Sequence, residues 1–427
     1  MKVWQSSTNR YEEEIPLVYR NGKWVPSKTK IHNGSSWITH GASGEYIPNF
    51  SVPSEEFKYK WGYHLLTLES KKEAKLELYT RIYNMHLYND TYKKYYVNKL
   101  NGSVSLISDY AIKISFYGYT NLSALKIYIS DLGLTSTEVE HVKDAVEEDY
   151  PELLYKWCWN EAQYKSYISS SWIYIPYYPE STRQRLLKYC TDSFDKICKI
   201  IKNTYDIDYI EDNYWNNNKR YSRQQHAQCA KVIHDWIVTH STYGDNSTAK
   251  GGDQEMWPAL SEYVYDPVCA SYARAFQYCC WRWGITCLNV NGAVIHSDRD
   301  GLHAWNLVTY EPLTILDAGI NNPNIWAEVD LTWDDPSYNP PRKGYCRWQY
   351  FNCTSKWLYS TADGNARERS LYGKTGHGIE LVASYPVDTS CNNTHYWYGY
   401  NSSLGYSDRY TFDGDSSPYM YTGFGVI

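Results

Sequence analysis

The most constraining feature of the sequence is the segment 266–284, whose residue pattern predicts one helix with defined ends. Pro267 suits the start of a helix, where its missing N–H is not needed, and Gly284 is a typical residue just beyond a helix end. Between them, apolar residues recur at helical spacing. Cys269 therefore falls in the first turn, where unpaired backbone N–H groups and the positive end of the helix dipole stabilise a thiolate.

Two strands predicted downstream each carry one polar residue of a catalytic type. His303 lies within 302–308, and Asp330 ends a strand that continues into a Thr-Trp-Asp-Asp-Pro sequence. A cysteine at a helix start, followed by a histidine and an aspartate on successive strands, supplies a nucleophile, a base and an acid that orients the base. The order predicts Cys269, His303 and Asp330 as a catalytic triad.

Three local sequences resemble the transglutaminase-like superfamily of cysteine enzymes, in the order in which the family has them. They are Cys269-Ala-Ser-Tyr-Ala273, His303-Ala-Trp-Asn306 and Val329-Asp-Leu-Thr-Trp-Asp-Asp-Pro336. The resemblance covers 216–390 well and 60–215 faintly. It implies an α+β fold with a papain-like core, in which the cysteine helix packs on an antiparallel sheet. It also implies thioester chemistry on peptide or glutamine-type amides.

The same resemblance implies a set of supporting residues around the triad. Two follow the histidine and are expected to pack and hydrogen-bond around it, one is expected to brace the loop of the aspartate, and two tyrosines belong to the helix start and to the turn before the core. These residues are Trp305, Asn306, Trp333, Tyr272 and Tyr243.

Two positions depart from the family pattern, because Pro267 and Ser271 stand where glycine is usual. Pro267 stiffens the turn that shapes the oxyanion hole, whereas serine on a helix is a small change. The third triad member also has an alternative, Asp317. The sequence after Asp317 lacks the Thr-Trp-Asp-Asp-Pro continuation, so Asp330 is preferred.

Charge and cysteine content exclude several other classes of protein. The net charge of −6 gives no electrostatic argument for binding nucleic acid or a membrane surface, and no apolar run approaches the roughly 18 residues of a membrane span. The 11 cysteines form no CxxC pairs, which argues against a disulfide scaffold or a structural zinc site. We expect no metal and no cofactor, and we expect His234, His296 and His377 at the surface or behind the site.

The first fifty residues contain a short repeat, in which 17–24 and 30–37 each place Asn-Gly before a tryptophan. Asn-Gly between β-formers predicts a tight hairpin. The pattern resembles small modules at the ends of phage tail and other virion proteins. We divide the chain into a hairpin module at 1–50, a mixed, mostly helical accessory domain at 55–215, the catalytic core at 216–390 and an aromatic-rich segment at 391–427.

Helix starts are predicted at four capping boxes, where a serine or threonine precedes a glutamate or glutamine by three positions. They are Ser70–Glu73, Thr135–Glu138, Ser181–Gln184 and Ser222–Gln225.

Two functions from different classes are consistent with the sequence. One is a cysteine peptidase, amidase or crosslinker with a peptide or protein substrate, attached to a phage tail or neck through residues 1–50. The other is a structural or host-binding virion protein that keeps the fold without turnover. Because the N-terminal residues do not resemble a signal peptide, we expect synthesis in the cytoplasm, followed by incorporation into a virion or retention in the cell.

Overall fold

The structure, a computed structural model, describes about half of the chain. Backbone strands are described among residues 3–39, and the other described residues are 57, 60–87, 95–98, 103–106, 121–153, 167–176, 180–212, 214–244, 254–262, 264–296, 300–310, 326–335, 345–346, 350–352, 365–369 and 419–420. The chain divides into two compact units, the first formed by 1–55, 66–146 and 165–177 and the second by 56–65, 147–164 and 178–427.

Helices and small, mostly antiparallel sheets alternate along the described residues, so the mixed helix-and-sheet composition expected for an α+β chain is present. The helices are α1 Trp61–Thr67, α2 Lys72–Leu87, α3 Ser136–Asp149, α4 Glu180–Tyr205, α5 Tyr214–Arg220, α6 Arg223–Thr239, α7 Met256–Ala259, α8 Cys269–Arg282 and α9 Leu331–Asp334, with a 3-10 turn at Pro151–Leu153. The strands are β1 Val3–Gln5, β2 Arg10–Glu12, β3 Leu17–Arg20, β4 Lys23–Pro26, β5 Lys30–His32, β6 Trp37–Thr39, β7 Tyr95–Asn98, β8 Ser103–Leu106, β9 Asn121–Tyr128, β10 Tyr167–Ile168, β11 Trp172–Pro176, β12 Thr286–His296, β13 Asp300–Thr309, β14 Ala327–Val329, β15 Tyr345–Cys346, β16 Asn365–Arg369 and β17 Tyr419–Met420.

Both predicted hairpins of the first fifty residues are confirmed as pairs of antiparallel strands. Strand β3 pairs with β4 and aligns Arg20 with Lys23, and β5 pairs with β6 and aligns His32 with Trp37. Two further strands, β1 and β2, join the first hairpin in a sheet of order β2-β1-β4-β3. The sequence repeat did not indicate these two strands.

The rest of the first unit is built around a five-stranded sheet of order β10-β11-β9-β7-β8. Helix α2 packs against β9, and the apolar side chains of Leu78 and Ile82 on that helix are fully buried. The stretch predicted as mostly helical thus contains a sheet as well as helices. Its domain boundaries stay a prediction.

Two of the four predicted capping boxes are confirmed. At the start of α3 the backbone N–H of Glu138 donates to Thr135 Oγ1 at 3.2 Å, and the N–H of Thr135 donates to the Glu138 carboxylate at 2.7 Å. The same reciprocal bonds link Ser222 and Gln225 at the start of α6.

The other two predicted helix starts are misplaced. Helix α2 begins at Lys72, after Lys71 with a positive φ of 55°, and not at the predicted Ser70. Helix α4 already begins at Glu180, one residue before Ser181.

The core of the second unit joins four helices. Apolar residues from α4, α6, α7 and α8 form one continuous buried cluster. Two tryptophans and two tyrosines are among its largest fully buried side chains. These four are Trp236, Trp283, Tyr272 and Tyr310. Helix α4, which the sequence assigned to the accessory domain, therefore shares a core with the helix that carries Cys269.

An antiparallel sheet of order β14-β13-β12-β16 covers one side of α8. Strands β12 and β13 form a long hairpin in which Gly292 aligns with His303, and β14 pairs with the far end of β13. Helix α8 ends as predicted, since Gly284 has a positive φ of 74° and its N–H donates to Trp281 O at 2.9 Å. The cysteine helix and the strand that bears His303 are consequently neighbours.

Among the described residues, no helix combines the length and the apolar character that crossing a bilayer requires.

Candidate active site

Helix α8 places Cys269 in its first turn, as the sequence predicts. The N-cap residue is Val268, with extended backbone (φ −108°, ψ 177°) and no side-chain hydrogen bond to the helix. The thiol of Cys269 is half-buried and packs against three small residues, Ala270, Ala273 and Ala304. Val268 has no side-chain acceptor for the first N–H groups of the helix, and its backbone oxygen accepts the N–H of Ser271 at 2.8 Å.

The segment that follows α6 ends close to the start of α8. The backbone N–H of Gly244 donates to Pro267 O at 3.1 Å, and a Cβ on Gly244 would lie only 2.0 Å from the Cβ of Asp266. Only glycine permits this approach without displacement of the backbone. The neighbouring ring of Tyr243 is partly exposed and stacks on Tyr272, with centroids 6.5 Å apart.

Ser271, the second departure from the family pattern, joins two helices. Its side chain is fully buried, and its hydroxyl oxygen accepts the backbone N–H of Ala259, at the end of α7, at 3.2 Å. Serine at this position therefore satisfies a buried donor that glycine would leave without this bond.

His303 and Asp330 are brought together by β13 and by the residue that follows β14. The distance from His303 Nε2 to Asp330 Oδ2 is 2.8 Å, and the two side chains are 6% and 0% exposed. The thiol of Cys269 lies near enough to the imidazole to contribute to the rise of its pKa. Since Asp330 occupies Nε2, Nδ1 is the ring nitrogen that remains for the thiol.

Charge stabilises the protonated form of this histidine. Burial by itself would lower the pKa of His303, but the negative charge and hydrogen bond of Asp330, together with the hydrogen bond to Cys269, raise it to about 9. The ring is therefore an imidazolium at neutral pH, with a carboxylate on one nitrogen and a sulfur on the other side. A positively charged imidazole beside the sulfur is what an activated cysteine requires.

Trp305 and Asn306 hold β13 against its neighbours. Asn306 Nδ2 donates to Ala273 O of α8 at 3.0 Å and lies 3.1 Å from Asn289 Oδ1 on β12. Trp305 Nε1 donates to the Glu328 carboxylate at 2.8 Å, and its ring lies 5.8 Å from that of His303 at an angle of 21°. Both residues thus fix the position of the imidazole.

The position of Asp330 depends on α9, for which it is the N-cap residue. Asp330 Oδ1 accepts the backbone N–H of Trp333 at 3.3 Å, and its own N–H donates to Tyr350 O at 3.0 Å. The Trp333 ring stands edge-on to His303 with centroids 6.5 Å apart. At the other end of α9, the hydroxyl of Tyr272 donates to the carboxylate of Asp335. All five predicted supporting residues therefore lie around the residues of the predicted triad or on and beside helix α8.

A buried ionic cluster behind α9 was not found from the sequence. His234 on α6 is completely buried, so it lies behind the site and not at the surface. Its Nε2 is 3.0 Å from Asp334 Oδ2 and its Nδ1 is 2.9 Å from Asp235 Oδ1. Asp235 is also bonded to Lys231, one turn earlier on the helix. The sequence signal for this cluster was Lys231 and Asp235, two ionisable residues four positions apart on a helix with buried neighbours.

The cluster offers three atoms that lie near enough to one another to hold a metal ion. They are His234 Nδ1, Asp235 Oδ1 and Cys346 Sγ, with the sulfur 3.9 Å and 3.8 Å from the other two atoms. However, the other Asp235 oxygen already bonds the Lys231 ammonium, and this positive charge opposes a divalent cation at the same carboxylate. These residues do not fit a metal ion.

Some predicted residues are not described by the structure. The alternative triad member Asp317 lies outside the described residues, as do His377 and all of 391–427 except β17. The assignment of Asp330 against Asp317 therefore rests on the contact between Asp330 and His303.

The sequence matches no protein-family model, and no match was found among curated proteins.

Proposed function

We propose that this chain is a transglutaminase-like cysteine enzyme that acts on peptide or glutamine-type amides through a thioester. The proposal includes a papain-like fold for 216–390. One observation carries it: the buried imidazole of His303 has the Asp330 carboxylate at 2.8 Å on Nε2, and the thiol of Cys269 is near enough to raise the pKa of the same ring. This arrangement of nucleophile, base and orienting acid is suited to acyl transfer.

The chemistry follows from these three residues. The sulfur of Cys269, its proton held by His303, attacks the amide carbon and forms a tetrahedral intermediate. The imidazolium of His303 then gives its proton to the leaving amine, the C–N bond breaks, and an acyl thioester remains on Cys269. Water, deprotonated by the now neutral His303, attacks the thioester carbon. The C–S bond then breaks, which releases the carboxylic acid and returns the Cys269 sulfur beside a protonated His303. Asp330 keeps the ring oriented and stabilises its charged form throughout.

The negative oxygen of the tetrahedral intermediate needs hydrogen-bond donors. The N–H of Cys269 is the first of helix α8, where no intrahelical acceptor exists. A backbone N–H in this position, at the positive end of the helix dipole, is a donor of the kind used in oxyanion holes.

We propose hydrolysis as the outcome, with transfer to an amine as the alternative fate of the thioester. The two are separated by supplying a primary amine during turnover of a glutamine peptide. An amide product detected by mass spectrometry identifies a crosslinker, whereas a free acid alone identifies a peptidase or amidase.

The activated thiol is tested by iodoacetamide labelling at neutral pH, with each cysteine quantified by peptide mass spectrometry. Cys269 should react at least about tenfold faster than Cys198, which is also half-buried but has no imidazole partner in the described structure. Burial raises the pKa of Cys198 to about 12, so it serves as an internal control. His303→Ala should remove the difference. Equal labelling of Cys269 and Cys198 in the wild type would contradict the proposal.

We also propose that residues 1–50 attach the chain to a phage or phage-tail-like particle. The two successive hairpins, β3–β4 and β5–β6, support this second proposal. Deletion of 1–50 should leave a folded protein that no longer copurifies with particles. Copurification of the shortened chain would exclude this role. A protein that binds particles but fails the labelling test would instead be a structural or host-binding component without turnover.

A further inference from the structure

The position of Asp330 depends on helix α9, which is too short to be stable by itself. Helix α9 has four residues, 331–334, and a single turn has little stability without outside contacts. Both of its ends bond to the backbone of one residue, Tyr350. The N–H of Asp330 donates to Tyr350 O at 3.0 Å, and the N–H of Tyr350 donates to Asp334 Oδ1 at 2.9 Å.

The second oxygen of Asp334 is held by His234. His234 Nε2 lies 3.0 Å from Asp334 Oδ2, and neither side chain is exposed at all. Because His234 belongs to the 17-residue helix α6, whose face is packed in the core, it is a rigid point to which α9 can be fixed. A continuous path of hydrogen bonds therefore runs from α6 to His303.

The groups around His234 favour its doubly protonated form. Asp235 and Lys231 face it from its own helix, Asp334 from α9, and Cys346 from β15, whose sulfur lies 3.9 Å from Nδ1. Both ring nitrogens thus meet a carboxylate oxygen, and both are donors only in the imidazolium. Burial alone would lower the pKa of His234, but the bonds to Asp235 and Asp334 raise it.

Charge balance makes the cluster a stable support. Lys231 and an imidazolium at His234 supply two positive charges. Asp235 and Asp334 supply two negative charges, since burial raises the pKa of Asp334 only to about 6. Buried ions that are fully paired are tolerated, whereas removal of one partner leaves another charge unpaired. The loss of His234 should consequently release Asp334.

We propose that His234 is a positioning residue that, through Asp334 and the backbone of Tyr350, keeps Asp330 at hydrogen-bonding distance from His303. This role rests on the proposed function for its significance in catalysis. No positioning role for His234 was predictable from the sequence, because it lies 96 positions before Asp330.

The test is the titration of the His303 ring in the full chain, followed by NMR of histidine side chains and assigned with His303→Gln. In the wild type the midpoint should lie near 9. His234→Gln should lower it by about one pH unit or more, because a displaced Asp330 no longer stabilises the imidazolium. The double variant His234→Gln/Asp334→Asn should restore part of the shift, since two amides can bond each other.

His226→Gln is the matched control. His226 is completely buried on the same helix, two turns before His234, and burial lowers its pKa to about 4. Replacement there also changes a buried histidine of α6 but not a contact with α9, so the His303 midpoint should stay at the wild-type value. If His234→Gln does not fold, Asp334→Asn replaces it, because the asparagine keeps its shape and an acceptor for the Tyr350 N–H.

The positioning role of His234 and the proposed enzymatic function can be contradicted independently of each other. An unchanged His303 midpoint in a folded His234→Gln or Asp334→Asn variant overturns the positioning role, even if Cys269 is selectively alkylated. A midpoint that responds to His234 in a protein whose Cys269 is not selectively alkylated supports the positioning role and removes the proposed function.

Discussion

The ionisation of His303 depends mainly on its contact with Asp330. Asp330, fully buried at 2.8 Å, is the main reason that the pKa of His303 rises to about 9 against the opposing effect of burial. A histidine whose pKa is higher in the folded chain than in the unfolded one stabilises the folded chain in its protonated form. This stabilisation is complete below about pH 6.5 and is lost as the pH rises through about 9.

Asp330→Asn should remove this pH-dependent stabilisation. The difference in unfolding free energy between wild type and variant should shrink by on the order of 3 kcal/mol from pH 6 to pH 9.5, while a constant part remains from the weakened N-cap bond to Trp333. Urea unfolding at a series of pH values measures it. Asp192→Asn, which removes an exposed ion pair with Lys188 on α4, should give a small difference at every pH. An equal loss for Asp330→Asn at pH 6 and pH 9.5 would show that the carboxylate does not stabilise the imidazolium.

At the scale of elements, the contact between α7 and α8 depends on a buried hydroxyl. Ser271→Ala should destabilise the protein by about 1–2 kcal/mol, because the N–H of Ala259 loses its acceptor in a buried position. Thr191→Ala is the control, since its hydroxyl bonds Leu187 O within α4 at an exposed position and its loss should cost less than about 0.5 kcal/mol. Chemical denaturation measures the unfolding free energy of both variants. Equal losses would mean that the bond between the helices adds no stability.

Helices were predictable from sequence where their ends are fixed by local chemistry. The capping boxes at Thr135 and Ser222 and the positive φ of Gly284 depend on residues within four positions of each other, and all three are present. The predicted box at Ser70 failed because Lys71 adopts a positive φ, which starts the helix later. A capping sequence indicates a helix start only if the preceding turn permits it.

The candidate site was likewise predictable from the sequence only where its residues belong to local patterns. Its three central residues follow from short sequence patterns, since a cysteine at a helix start and the strands after it are local features. The bond from His234 to Asp334 joins positions 100 residues apart, and no spacing rule predicts such a pair. The support of the site is therefore visible only in the folded chain.

At the scale of the whole molecule, the helix that carries Cys269 depends on segments far upstream. Helix α4 contributes Phe194 and Ile197, both completely buried, to the same core as α8. Glu148, next to the end of α3, accepts a bond from Gln277 Nε2 through its backbone oxygen at 2.9 Å and pairs with Arg274 through its carboxylate at 3.4 Å. The predicted boundary at 215/216 separates all of these partners from α8.

A fragment of residues 216–427 should therefore fail to unfold cooperatively, although it contains the whole predicted triad. Without α4 it exposes the apolar face of α8, and the loss of several buried side chains at roughly 1.5–3 kcal/mol each exceeds the stability of an ordinary domain. Residues 56–427 form the control, because they retain every described residue of the second unit. Thermal unfolding by circular dichroism compares the two. A cooperative transition in 216–427, together with selective alkylation of Cys269, would establish the predicted boundary and show that α4 is not required for the core.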